Sequence, residues 1–210
     1  MKLYDMKHAP NPRRVRMFLA EKGVEIEKHP IDIPSGENLK PEYLKINPRG
    51  LVPSLVLDDG TVIGESVAIC RYIEEIYPDP PLMGVDSKDK AVVEDWQRQM
   101  EFDGLMSLAW VFRNTNPIFE NRALPGITGG LKQSSEMADI GRQRAFSFFE
   151  TLNDRLKDVP FVAGERFTIA DITAYMALMM ARWVKISVPE DHVHIKSWYE
   201  KVSQRPSAKA

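Results

Sequence analysis

Three of the four residues from Pro78 to Pro81 are proline. No helix runs through such a stretch, because proline lacks the main-chain donor and its ring meets the carbonyl one turn back. The chain is therefore cut into a shorter front part and a longer back part. Before the cut, short apolar runs alternate with helical spacing. After it, strand signals fade and helical spacing takes over. This predicts two domains, 1–78 and 87–210, with a linker over 79–86, and 210 residues suffice for two small domains.

In the front part, Leu3 to Met6 reads as a strand, broken by Lys7-His8-Ala9-Pro10. Asn11 and Pro12 then suit the N-cap and first position of a helix whose buried stripe is Val15, Phe18 and Leu19. Arg13 and Arg14 in its first turn oppose the helix dipole, so they are either solvated or placed near an anion or acidic surface. Gly23 suits the helix end. Val24 to Ile33 predicts a second strand, and Leu39 to Ile46 a short helix stopped by Asn47-Pro48-Arg49-Gly50. Pro53 marks the first residue of a third strand, since it cannot donate to a ladder. Asp59-Gly60 is a hairpin turn between that strand and a fourth. A helix follows from Ser66 to Tyr77. The order is strand–helix–strand, helix, strand–strand–helix, an α/β unit.

The back part opens with a long helix, Ser87 to Arg113, carrying Val92, Trp96, Met100, Leu105, Leu108 and Val111. Asn114 to Gly130 reads as a loop. A second long helix, Leu131 to Leu156, turns Phe146, Phe149, Leu152 and Leu156 inward. Thr168-Ile169-Ala170-Asp171 is a capping box, with Phe167 and Ile172 spaced for a hydrophobic staple. Ile172 to Val184 is apolar nearly all round and predicts a central, buried helix. His194 to Ser203 is the last helix.

A formal net charge of -2 argues against nucleic acid or an anionic membrane as partner. No apolar run is long enough to span a bilayer, and the first residues lack a signal-peptide pattern. The single cysteine, Cys70, excludes an internal disulfide and a cysteine-built metal site. It falls on the apolar side of its helix and reads as a buried, inert thiol. These features point to a cytoplasmic protein without a bound metal.

Several pieces together resemble the cytosolic glutathione transferase family: Asn11-Pro12-Arg13-Arg14-Val15-Arg16, Asn47 to Pro53, Gly64-Glu65-Ser66, Gly164 to Asp171, and the ending from Trp198 to Pro206. The resemblance implies a thioredoxin-like N-terminal domain, an all-helical C-terminal bundle, and a homodimer with two glutathione sites. It implies a cis Val52-Pro53 bond that leaves the Val52 main chain free to pair with the cysteinyl backbone of glutathione. Glu65 and Ser66 would hold the γ-glutamyl amine and carboxylate, the latter helped by the helix N-terminus. Asn38, with Lys40 or Arg49, would face the glycyl carboxylate.

Chemistry in this family needs the glutathione thiolate. Laid on the serine-type pattern, the activating serine falls on Ala9, which has no hydroxyl. Asn11, at the positive end of the first helix, is the expected sulfur donor, helped by first-turn N–H groups, and His8 is the second candidate. The pattern is similar to the bacterial nu-class and related transferases. Met106, Trp110 and Arg113, at i, i+4 and i+7, would wall the pocket of the second substrate. The expected activity is conjugation of the glutathione thiolate, as co-substrate, to small hydrophobic electrophiles in detoxification. The alternatives are a glutathione-dependent disulfide reductase and a non-catalytic binding or scaffold protein.

Overall fold

The computed structural model describes residues 1–126 and 130–210. Among them, the front part forms one mixed sheet in the order β2-β1-β3-β4. β1 (Lys2–Asp5) sits inside the sheet, parallel to β2 (Glu27–Pro30) and antiparallel to β3 (Ser54–Val56), which pairs with β4 (Val62–Ile63). Leu3 lies between Lys28 and Leu55 in the register and is fully buried. The β3–β4 connection turns at Gly60, whose φ of 87° few other residues accept. Helices α1 (Pro10–Lys22), α2 (Pro41–Leu44) and α3 (Ser66–Ile76) complete this thioredoxin-like domain.

The starts of α1 and α2 differ from expectation because proline is preorganised for the first helical position: in α1 the more N-terminal of two prolines takes it, and in α2 Pro41 does. α1 begins at Pro10, with Ala9 as N-cap and no side-chain cap bond, so Asn11 is the second helical residue and does not cap. α2 begins at Pro41 after a 3-10 turn at Glu37–Leu39, and so is shorter than Leu39 to Ile46. β2 is shorter than Val24 to Ile33 because its ladder ends with its four-residue partner β1. Gly23 ends α1 in the left-handed conformation, φ 65°, with the Val24 N–H returning to the Leu19 carbonyl at 3.0 Å.

The C-terminal part is helical. α4 (Ser87–Gln99) runs through a π-helical segment, Met100–Met106, into α5 (Ser107–Thr115). A Cβ on Gly104 in that segment would lie 2.7 Å from the Phe148 ring. α6 (Ser135–Asp158) starts later than Leu131, because Ser134 caps it by accepting from the Met137 N–H at 3.2 Å. Phe149, Leu152 and Leu156 face inward as expected. Phe146 is half exposed, and Phe148 is the aromatic residue that continues the buried stripe Ala138, Gly141, Ala145. Of the expected loop from Asn114 to Gly130, residues 127–129 lie outside the described residues. Its first part forms a 3-10 turn, Pro117–Phe119, capped by Asn116.

α7 (Ile169–Trp183) is the central buried helix, and its capping box is present. The fully buried Asp171 accepts from the main chains of Thr168 (3.0 Å) and Val162 (2.9 Å) and from Trp198 Nε1 on α8 (Val193–Ser203; 2.9 Å). Phe167 and Ile172 are both buried beside it. Burial pushes the Asp171 carboxyl up to about 6.

Long side chains of α1 fasten the two parts together. Arg13 donates to the Ala208 carbonyl at 2.7 Å, and Glu21 accepts two bonds from Arg205 at 2.7 and 2.6 Å. Arg14 has no exposed surface and pairs with Glu101 of the π-helical segment at 2.7 Å. The acidic partner of Arg14 is thus inside the chain, Arg13 is bound to a main-chain carbonyl, and neither is a free surface cation. No described helix is long and apolar enough to cross a membrane.

Candidate functional site

A cleft of about 590 Å³ lies between the sheet domain and the helices. The sheet side supplies the start of α1, the loop before β3 and the start of α3. The helical side supplies one face of α5, the 3-10 turn after it and the last turn of α7.

The loop from Asn47 to Ser54 is held from beneath by buried polar side chains. Asn47 Nδ2 donates to the Leu51 carbonyl at 3.0 Å and to Ser54 Oγ at 2.9 Å. The Tyr43 hydroxyl donates to the same carbonyl at 2.6 Å, and burial pushes that phenol up to about 12, so it stays a donor. Asn38 Nδ2 donates to the Gly50 carbonyl at 2.7 Å. These bonds occupy the Gly50 and Leu51 carbonyls. The main chain of Val52 makes no hydrogen bond among the described residues. The Val52-Pro53 bond is cis. A second cis bond, Asp79-Pro80, lies in the linker, where no sequence signal distinguished it from the other prolines.

At the start of α3, Glu65 is the N-cap residue without a side-chain cap bond, so first-turn amides of this 11-residue helix remain open to an anion. Ser66 is buried, and its hydroxyl accepts from Arg14 Nη1 at 3.4 Å. Glu65 is exposed and ion-paired with Arg49 across the cleft rim.

At α1 the geometry is more restrictive than the sequence pattern implied. Pro10 and Pro12 have no N–H, and the Arg13 N–H is taken by the Ala9 carbonyl at 3.0 Å. Asn11 therefore carries the only uncommitted main-chain donor of the first turn, and its side-chain amide, freed from capping, is exposed on the cleft. His8 sits on the same rim, exposed.

The expected second-substrate wall is only partly present. Met106 and Arg113 line the cleft, and Trp110 does not. On α5 the cleft face runs through Met106, Ala109, Phe112 and Asn116, and Trp110 stands about 100° away from it. Phe112 and Trp183 fill the place given to Trp110, with ring centroids 5.5 Å apart. Arg113 is committed to structure. It donates to the Ala123 and Arg122 carbonyls and lies 4.3 Å over the Phe119 ring, and burial, with Arg122 beside it, lowers its pKa to about 10. The sequence reading missed Phe112, Phe119 and Trp183. The i, i+3, i+6 run from Met106 through Ala109 to Phe112 was the available signal.

Cys70 is fully buried, and burial pushes its thiol up to about 12, which keeps it protonated and inert. Among the described residues, no group of three or more His, Cys, Asp or Glu side chains stands together as metal ligands would.

A sheet domain whose loop and helix start face a helical bundle across an apolar cleft defines the class. Residues 8–76 match the N-terminal domain of glutathione S-transferase, and residues 105–206 match its C-terminal domain. The chain belongs to the glutathione S-transferase family. It is 35% identical over 211 residues to glutathione S-transferase 2 of Saccharomyces cerevisiae, covering 100% of this chain and 88% of that protein. The crystal structure of Gtt2 from Saccharomyces cerevisiae superposes with a TM-score of 0.91 at 34% identity, covering 100% of this chain and 99% of that one. A glutathione S-transferase domain-containing protein of Marinobacter aquaeolei VT8 superposes with a TM-score of 0.92 at 33% identity, covering 99% of both chains.

Proposed function

We propose that the cleft binds glutathione and that the protein conjugates its thiolate to small apolar electrophiles. The observation that carries this reading is the convergence on one cleft of an unpaired Val52 main chain, the Glu65-Ser66 helix start, a lone donor residue at α1, and an aromatic wall. Val52 pairs with the cysteinyl backbone of the tripeptide. The γ-glutamyl carboxylate lies against Ser66 and the first turn of α3, and its ammonium against Glu65. Asn38 fixes Gly50 with one N–H of its side-chain amide and keeps the second N–H for the glycyl carboxylate. Asn11 donates to sulfur through its side-chain amide and its N–H. Sulfur loses its proton to solvent and attacks the electrophilic carbon; with an activated aryl halide the S–C bond forms as the C–halogen bond breaks and halide leaves to solvent, while the apolar body lies against Phe112, Phe119 and Trp183.

The same reading places the domain boundary in 79–86, between the two matched regions, and takes the active form as a homodimer, to be tested by sedimentation. The central test is Asn11→Ala. Glutathione should still bind by calorimetry, since the recognition groups are untouched. The pKa of the bound thiol, followed by thiolate absorbance, should rise by about 1 unit, one lost charge-assisted hydrogen bond, and turnover of an activated aryl halide should fall accordingly. An unchanged thiol pKa and turnover would remove Asn11 from the chemistry. Wild-type protein that binds glutathione but acts only on a small mixed disulfide would replace conjugation by disulfide reduction.

A further inference from the structure

The charges lining the cleft do not balance. Among the described residues Glu65 is its only carboxylate, and Arg49 is already paired with it. Two further arginines line the cleft, Arg113 and Arg122, and their hydrogen bonds go to main-chain carbonyls alone. Arg113 spends Nε and Nη2 in this way. Arg122 is less committed. It belongs to the helical part, yet its Nη2 donates to the Ile33 carbonyl of the sheet domain at 3.2 Å, 89 residues away. Its Nη1 makes no hydrogen bond among the described residues and lies 4.0 Å from where a Cβ on Gly36 would stand. Ile33 and Gly36 lead directly into the 3-10 turn Glu37–Leu39, which carries Asn38. The Arg122 guanidinium also lies 5.7 Å over the Phe119 ring, so it is seated before any ligand arrives. Lys40, on the same stretch as Asn38, is exposed and does not line the cleft.

We propose that Arg122 is the cation that recognises the glycyl carboxylate of glutathione, reaching it from the helical part while Asn38 reaches it from the sheet domain. This rests on the glutathione reading of the cleft. A guanidinium is a planar fork, and one arm held on Ile33 leaves the other preorganised for a carboxylate. Burial and the charge of Arg122 hold the Arg113 pKa at about 10, and an anion at Arg122 offsets that repulsion. The tripeptide is then read by both parts of the chain. The sheet domain takes its γ-glutamyl and cysteinyl portions, and Arg122 sets the preference for glutathione over thiols that lack the terminal charge.

The blander alternative is that Arg122 only latches the helical part to the Ile33 loop. Glutathione and its glycyl ethyl ester separate the two, because the ester keeps the rest of the tripeptide and loses that charge. Dissociation constants of both are measured by calorimetry on the full-length chain. The readout is their ratio, so a general loosening of the cleft cancels. Wild type should bind glutathione more tightly than the ester by about tenfold or more, the scale of one hydrogen bond to a charged group. Arg122→Gln should weaken glutathione by about tenfold and leave the ester unchanged. Arg122→Lys keeps a cation and should restore part of the preference. The proposal is overturned if wild type binds the two forms equally, if Arg122→Gln keeps the full preference, or if it weakens both forms alike, which is the mark of a latch. Wild type that binds neither form would instead remove the glutathione reading itself, and this role with it.

Discussion

Glu101→Ala and Arg14→Met break the same ion pair and should have unequal consequences. Arg14 has no exposed surface, and its Nε and Nη2 have no partner among the described residues, so Glu101 is its only anion. Deleting Glu101 leaves a buried, uncompensated guanidinium, which costs about 3 to 5 kcal/mol. For a chain of this size, about 2 to 4 °C of melting temperature corresponds to each kcal/mol. The loss should therefore exceed about 6 °C. Deleting the charge instead, with methionine of similar length, fills the space and leaves Glu101 paired with Arg98 at 2.6 Å. That change should cost only about 1 kcal/mol. In the Arg14→Met background, Glu101→Ala should then cost little. Melting of the three variants by circular dichroism checks this. Arg14→Met falling as far as Glu101→Ala would refute the reasoning, because the penalty would then come from lost packing and not from a stranded charge. Arg14→Met should also weaken glutathione binding modestly, since Arg14 donates into the Ser66 hydroxyl and leaves that proton free for a ligand.

Asp171 makes a signed prediction about pH. Its carboxyl is raised from 3.8 to about 6 by burial, so the native state holds the proton more tightly than the unfolded chain. The stability this group contributes is fully present below about pH 4, falls by about 3 kcal/mol as pH rises to about 6, and is level above that. Denaturation midpoints across pH for wild type and Asp171→Asn should differ by that slope, and parallel curves would contradict it. Gly141→Ala should destabilise by about 1 to 3 kcal/mol, because its Cβ would lie 2.5 Å from the Ser107 carbonyl oxygen where α6 meets α5; a melting temperature unchanged to within a degree would show that the helices separate freely.

The elements that sequence placed well are those whose signals are local. Thr168 to Asp171 caps α7, Gly23 ends α1 and Gly60 turns β3 into β4, each through geometry that one short stretch dictates. What sequence misplaced depended on competition or on partners far along the chain. Pro10 and Pro12 both qualified for the first helical position of α1, and a reading of Asn11 as N-cap chose the second. Whether Arg14 is solvated or faces an anion stays open in the sequence because its counter-ion, Glu101, is 87 residues away. Phe146 and Phe148 are equally apolar, and only the packing of α6 on Gly104 decides which is inside. Trp110 was taken for a cleft residue on spacing alone, although spacing fixes which residues share a face and not which face meets the ligand.

The correction at α1 narrows the chemistry. A helix start usually offers several free N–H groups to an anion. Here Pro10 and Pro12 remove two of them and Ala9 takes the next, so the dipole is expressed at one residue. Had Asn11 been the N-cap, its side-chain oxygen would have been bound to its own helix. As the second helical residue it is exposed on the cleft with both donors uncommitted. An Asn11→Ala change therefore leaves the cap intact and removes the side-chain donor alone, so a rise in the thiol pKa would be read free of any unravelling of α1.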